Sequence, residues 1–370
     1  MSSWRPDGSG NGTHIATSEK ILDKINQQGG KPFISFEYFP PRTDEGVQNL
    51  YARVERMATL SPLFMDFTWG AGGSTSDLTL ELCTKTKAIT GLDINMHMTC
   101  TNQVTEKVDQ GLRGAVLGGV RNICALRGDP PLGQEKWEAT EGGFNCALDL
   151  VKHIRKEYGD HFGISVAGYP EGHPDIIKPI SELGRELTAS EKSRSTVDKD
   201  GVECVCSDED YKKELAYLKE KIDAGGEVIL TQLFYDADVF IQFVKDCRAI
   251  GINAPILPGI MILMTYGGFK RMTGFCKTRV PADLAKKVEE MKDEEQKEQL
   301  KEFGIQLGAD ICKKVLASGA AQGLHFYTLN LENSVYGILE KLGLKATDVS
   351  AGAENENTFQ GTLINTVIAK

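Results

Sequence analysis

Short apolar runs recur along the chain at Phe33–Phe39, Phe64–Thr68, Ile94–Cys100, Asn122–Leu126, Gly163–Tyr169, Val228–Phe234, Pro255–Ile260 and Leu324–Leu329. Each has strand length, and most are rich in Ile, Val, Phe or Met, which fill a pleated surface well. Between them apolar positions recur every three or four residues, as Leu50, Val54 and Met57 do. That spacing predicts helices over Val47–Leu60, Leu78–Ile89, Glu106–Gly118, Cys146–Tyr158, Tyr211–Ala224, Asp238–Ile250 and Phe303–Ser318, with Val335–Leu342 closing the series. Ser76-Asp77 and Asp236 read as caps of the helices they precede, because a short side-chain oxygen can accept a first-turn N–H. A short helix within 17–28, with Ile21, Leu22 and Ile25 on one side, comes before the first strand.

Eight strands alternating with helices predict an α/β fold with a parallel sheet, since parallel neighbours need a crossover. The span from Phe33 to Leu342 fits a (β/α)8 TIM barrel. An open doubly wound sheet is the alternative, but no strand-linked Gly-x-Gly-x-x-Gly supports it; Gly70-Ala71-Gly72-Gly73 misses that spacing and reads as a turn. Two stretches break the rhythm. Ile176–Asp210 is long and charged and reads as a surface insertion after strand five; Glu289–Lys301 reads as a solvated helix face. Residues 1–16 are expected to be disordered, 17–343 to form one domain, and 344–370 to be a polar tail outside the core.

Composition narrows the class. Of 370 residues 41% are hydrophobic and 25% charged, as in a packed globular chain. The formal charge of −10 disfavours polyanionic partners, so no nucleic acid is expected. Nothing approaches 18 consecutive apolar residues, so no membrane span is expected. Nine scattered cysteines, an odd number, suit reduced thiols, and the first thirty residues hold no apolar signal core; the cytoplasm is the expected compartment. Cys204-Val205-Cys206 has no second ligand pair, and no metal is expected.

In a barrel the chemistry sits where strands end. Glu37 ends the first strand between aromatics and shares a face with Ser35. A carboxylate there is costly without a partner or a task. Thr68-Trp69 end strand two. His97 lies between methionines in strand three, and on its own reads as a hydrogen-bonded core histidine. Arg127-Gly128-Asp129 end strand four, where Arg suits phosphate and Gly permits close backbone approach; an Arg–Asp pair pinning the loop is the plainer reading. Tyr169 and His173 follow strand five, Gln232 ends strand six facing the mouth, and Tyr327 to Asn330 end strand eight. Together these groups suit a flat, polar-edged, partly anionic aromatic ligand.

In this order the motifs Ser35-Phe36-Glu37-Tyr38-Phe39-Pro40-Pro41-Arg42-Thr43, Leu126-Arg127-Gly128-Asp129-Pro130, Ala167-Gly168-Tyr169-Pro170-Glu171-Gly172-His173-Pro174, Thr231-Gln232-Leu233-Phe234 and His325-Phe326-Tyr327-Thr328-Leu329-Asn330 resemble the methylenetetrahydrofolate reductase family over roughly residues 17–343. The likeness is nearer to its eukaryotic, plant-like members. It implies a (β/α)8 barrel with non-covalent FAD, reduced by NADH or NADPH and reoxidised by methylenetetrahydrofolate, and a homo-oligomer. It makes Glu37 the general acid and Asp129 the carboxylate that touches folate and tunes the flavin. It makes Gln232 a folate-binding amide, with Tyr327 and Asn330 also on the substrate. Thr68, Trp69, His97, Arg127, Gly128, Asp129, Cys146, Ala147, Tyr169, His173, Glu214 and Lys221 match flavin-binding positions; Cys146 stands where Tyr is frequent and Glu214 where Asp is. Ile262 replaces a usual Pro, and Leu331 an Arg of several members, so contacts to folate are expected to differ there. Eukaryotic members carry a C-terminal domain that senses S-adenosylmethionine, and these 370 residues are expected to hold none.

Overall fold

The computed structural model describes residues 18–69, 76–130, 137–198 and 200–343. The expected disordered N-terminus, the C-terminal tail and the turn Gly70–Gly73 lie outside them. The strands are β1 Phe33–Tyr38, β2 Met65–Phe67, β3 Ile94–Thr99, β4 Asn122–Leu126, β5 Gly163–Gly168, β6 Lys178–Pro179, β7 Thr196–Val197, β8 Glu203–Val205, β9 Val228–Leu233, β10 Ile256–Met261 and β11 Gly323–Tyr327. The helices are α1 Ile21–Gln27, α2 Asp44–Ala58, α3 Ser76–Thr90, α4 Thr105–Leu117, α5 Ala147–Tyr158, α6 Ala189–Arg194, α7 Asp208–Asp223, α8 Ala237–Ala249, α9 Tyr266–Cys276, α10 Ala282–Glu290, α11 Lys297–Ala317 and α12 Glu332–Lys341.

Eight strands close into a parallel barrel in the order β1-β11-β10-β9-β5-β4-β3-β2. These are the eight apolar runs read from the sequence, so the (β/α)8 expectation holds. The strands are buried almost throughout because helices cover the outside and side chains fill the inside. One apolar cluster lies between strands and helices. A second fills the barrel floor, where Phe33, Phe64, Val228, Leu230 and Leu257 meet Ile21 and Ile25 of α1. The N-terminal helix thus plugs the barrel from below. Burying either isoleucine contributes about 2 kcal/mol to that closure.

Above the floor the interior turns polar. Asn95 Nδ2 donates to Asp66 Oδ2 and to Ser165 Oγ, both at 2.9 Å, and Ser35 Oγ lies 2.8 Å from His325 Nδ1. Parallel register sets these pairs side by side: Glu37 faces Asp66 on one flank and Tyr327 on the other, and Ser35 faces His325. These bonds offset most of the cost of burying a polar layer.

Two local expectations change. Asp236 does cap α8, its side chain accepting from Asp238 N. Ser76 and Asp77, by contrast, form the first turn of α3 itself rather than its cap. Residues 289–301 are not one solvated face: α10 ends at Glu290, a single tight turn follows, and α11 starts at Lys297, with Met291 after α10 and Leu300 in the first turn of α11 both buried. The stretch 176–210 is the expected insertion after β5, and it is folded. It contains α6 and the antiparallel sheet β6-β8-β7. Arg194, 5% exposed, pairs with Asp208 at 2.6 Å and lies over the Tyr211 ring, while Arg185 holds the buried Glu191. Lys277 Nζ donates to Ile177 O and Thr196 Oγ1 to Thr278 O, which lashes this unit to the barrel's upper face. Among the described residues no helix is long and apolar enough to cross a membrane.

Candidate active site

A cavity of about 600 Å³ opens at the C-terminal ends of the barrel strands. It collects Glu37, Thr68, Trp69, His97, Arg127, Gly128, Asp129, Cys146, Ala147, Tyr169, His173, Glu214, Lys221, Gln232 and Tyr327. Of the expected site residues, only Asn330 is not on its wall. That amide sits beyond the rim, where Phe39 N donates to its Oδ1 and its Nδ2 donates to Phe39 O.

One end of the cavity is built for an anion. Arg127 leaves β4 and pairs with Asp175 at 2.8 Å, not with Asp129 as the plainer sequence reading had it; its guanidinium also lies over Trp137. Gly128 takes φ +91°, and a Cβ there would run into Thr101 and Thr99. Only glycine fits this turn. Lys221 is buried on α7 and donates to Ala167 O at 2.7 Å. Burial pushes its pKa down to about 8, with Glu214 partly opposing. The N-terminus of α5 opens beside Cys146 and Ala147; the Cys146 side chain makes no cap bond, and Leu148 N donates to Tyr217 Oη at 3.4 Å. Two cations beside a helix N-terminus are the donor set that suits phosphate oxygens.

Aromatic and uncharged groups line the middle. His173 packs edge-on against Tyr169 at 4.7 Å, and its Nδ1 accepts from Asp175 N. Burial drives its pKa down to about 4 against the pull of Asp175, so it is a neutral imidazole. Trp69 Nε1 and Thr99 Oγ1 are buried at the cavity with no hydrogen-bond partner among the described residues. Such orphaned polar atoms call for a ligand, because leaving each unmatched costs roughly 1–3 kcal/mol. Asp129 is raised above the ordinary carboxylate range by burial and by Asp175, although Arg127 draws it back.

The other end is acidic and deep. Glu37, partly open to the cavity, puts Oε2 3.5 Å from both His97 Nε2 and His325 Nε2. His97 Nε2 is closer to Asp66 Oδ2, at 3.0 Å. Burial opposes a charge on His97, but the hydrogen bond to Asp66 and the fields of Glu37 and Asp66 outweigh it, so its pKa rises. Gln232 bends back so that its Oε1 accepts from Leu233 N, and Tyr327 donates to Thr231 O. His97 is thus both the hydrogen-bonded core histidine and a cavity-wall residue.

Sequence reading missed Asp66, Asp175, Trp137 and His325 as parts of this neighbourhood. Asp66 carried the signal that singled out Glu37, a carboxylate between two large apolar residues. Trp137 lies in a loop outside any periodic segment and carried none. The loop at Ile262 and Leu263 is buried, and Leu263 O packs so tightly on α11 that only Gly304 fits opposite it. Leu331 is 44% exposed and is not among the cavity wall residues.

Residues 20–343 match the family described as "Methylenetetrahydrofolate reductase". The chain is 50% identical over 327 residues to "Methylenetetrahydrofolate reductase (NADH) 1" of Zea mays, covering 88% of this chain and 51% of that protein. It is 41% identical over 334 residues to "Methylenetetrahydrofolate reductase 2" of Saccharomyces cerevisiae, with 89% and 50% coverage. It is 30% identical over 332 residues to "5,10-methylenetetrahydrofolate reductase" of Escherichia coli, with 90% and 98% coverage. The chain therefore spans about half the length of the plant and yeast relatives but nearly all of the bacterial one. With the match running from the helix that plugs the barrel to the last helix of the fold, the chain belongs to the methylenetetrahydrofolate reductase family.

Proposed function

We propose that the chain reduces 5,10-methylenetetrahydrofolate to 5-methyltetrahydrofolate with a nicotinamide dinucleotide, through a non-covalently held FAD. The observation that carries the reading is the meeting of Glu37, Asp129 and Gln232 on one cavity in a chain that matches this family over its whole barrel. The plant relatives carry NADH in their names, which favours NADH as the donor.

The residues present suit FAD. Arg127, Lys221 and the open start of α5 would hold its diphosphate, and the Trp69 and Thr99 orphans would find acceptors on a polar ring edge. When bound, FAD supplies two-electron chemistry, taking hydride from the donor and giving it to the folate. The protein has three tasks around that exchange. Glu37 gives its carboxyl proton to the ring nitrogen that leaves the methylene carbon: the O–H bond breaks, an N–H forms, and the electron pair of the C–N bond goes to nitrogen. The open substrate is then an iminium, ready for hydride. Asp129 sets negative charge at the mouth, which opposes further charge on a reduced flavin and can accept hydrogen bonds from the pterin. Gln232 offers an amide that reads the pterin edge.

This reading also places the protein in the cytoplasm as a homo-oligomer supplying methyl groups for methionine synthesis; its nine unpaired cysteines suit a reducing compartment. The purified chain should be yellow, should release intact FAD on acid treatment, and should oxidise NADH only when the folate is added. A colourless protein that takes up no FAD, or a flavoprotein that the folate cannot reoxidise, overturns the reading.

A further inference from the structure

We propose that Asp66 is a positioning residue for the general acid: it takes the charge of His97, and so leaves Glu37 holding the proton that faces the cavity. The inference rests on the reading of Glu37 given above.

The geometry carries it. Asp66 is fully buried on β2, the direct register partner of Glu37 on β1. Oxygens of both carboxylates and a nitrogen of His325 lie within 4.8 Å of one another. His97 Nε2 stands between the carboxylates, 3.0 Å from Asp66 Oδ2 and 3.5 Å from Glu37 Oε2. A cationic His97 therefore finds its first counter-charge in Asp66. His325 keeps Nδ1 against Ser35 Oγ, and its Nε2 lies 3.5 Å from Glu37 and 3.9 Å from Asp66. The titratable groups facing Asp66 are Glu37 from β1, His97 from β3, Cys124 from β4, His325 and Tyr327 from β11, and Cys83 from α3 behind it.

Charge arithmetic then favours one carboxyl proton. With His97 cationic and both carboxylates ionised, this water-poor cluster would carry a net negative charge. Two like charges so near each other raise the affinity for a proton. Asp66 Oδ2 accepts from Asn95 Nδ2 and faces His97, which places it as the nearer counter-charge to that ring. Among the described residues its Oδ1 has no hydrogen-bond partner. Glu37, the member open to the cavity, is where the proton can stay and be delivered. Removing the Asp66 charge frees His97 to pair with Glu37, which would hold Glu37 as carboxylate and take the acid out of use.

The test is Asp66→Asn in the FAD-loaded enzyme, with both half-reactions followed by flavin absorbance from about pH 6 to pH 9. Flavin reduction by NADH should be unchanged. Reoxidation by methylenetetrahydrofolate should lose its activity on the alkaline side at least one pH unit earlier, a tenfold deficit at the upper end that closes toward acid. A loss of equal size at every pH, or in both half-reactions, is a structural effect and overturns the proposal; so does an unchanged profile. Asp66→Ser removes the same charge with less volume if the Asn variant folds poorly. Carboxyl C=O infrared absorption supplies a readout free of turnover: a protonated carboxyl band in the wild type that disappears at lower pH in the variant supports the pair, and no such band in the wild type overturns it. If the wild type shows the band but is not reoxidised by the folate, the proposed reaction fails and the proton pair stands.

Discussion

Both ends of the Asn330 amide are held by the backbone of Phe39: Phe39 N donates to Oδ1 at 3.1 Å, and Nδ2 donates to Phe39 O at 2.8 Å. The tie spans the closure of the barrel, joining the end of β11 to the end of β1 two residues beyond Glu37. Leu329 and Asn330 both take left-handed backbone, φ 50° and 55°. Asn tolerates this conformation better than most residues, whereas Leu holds it only because its surroundings impose it. The side chain expected to bind substrate also ties down the strand that carries Glu37, the proposed acid.

Asn330→Ala should therefore loosen Glu37 without touching the anion end of the cavity. Loss of two hydrogen bonds at a half-exposed site costs about 1–2 kcal/mol of stability. FAD affinity should be unchanged while the folate half-reaction slows. If FAD binding falls and folate reoxidation does not, the tie is unrelated to the acid.

Lys221 links cofactor binding to pH. Its pKa of about 8 is below the ordinary lysine value because it is buried, so its positive charge disappears as pH rises through 8. An anionic ligand loses that partner in the same window. FAD affinity of the apoprotein should fall about tenfold between roughly pH 7 and pH 9, and Lys221→Met should bind more weakly with that slope removed. Equal slopes in both proteins, measured by fluorescence quenching of added FAD, would exclude Lys221 as the source.

Glu171 bears on stability instead. It is 4% exposed in the loop after β5, accepts from Arg279 N, and is pushed up to about 8 mainly by burial. An unfolded glutamate titrates near ~4.3. The folded state thus holds the proton more tightly, and the stability this gives is full below that value and is lost as pH rises toward 8. The loss is on the order of a few kcal/mol. Glu171→Gln keeps the neutral shape, so its melting temperature should pull ahead of the wild type as pH is raised from about 5 to about 8.5. Melting curves that stay parallel over that range would contradict it.

The strand ends were legible because periodicity locates them and barrel logic gives them meaning: Glu37, Arg127, Tyr169 and Gln232 each ended a recognisable apolar run. What escaped was set by long-range contacts. Asp66 lies in a three-residue strand, too short for period-two reading, and its partners Asn95 and His97 come from β3 and His325 from β11. α9 was missed because Gly267, Gly268 and Gly274 lower its helix propensity; Thr265 caps it, accepting from Gly268 N. The insertion was placed from its charge, but its own helix and sheet were not legible, because Arg194–Asp208 and Arg185–Glu191, rather than an apolar stripe, hold it together. Asn330 was legible as a polar residue at a strand end, but its partner Phe39 is 291 positions away.

Glu37→Gln separates the two halves of the proposed reaction. Glutamine preserves the shape of the side chain and can still face His97 and His325, but it has no acidic proton. Hydride transfer from the nicotinamide donor needs no acid, so flavin reduction should proceed at nearly the wild-type rate. Opening the folate ring needs a proton on the departing nitrogen, so flavin reoxidation by methylenetetrahydrofolate should slow by at least ~10²-fold, the usual scale of general acid catalysis. The contrast matters more than either rate. Stopped-flow traces in which both halves slow alike would make Glu37 a structural support of the cavity, and traces in which neither slows would mean that the proton comes from another group.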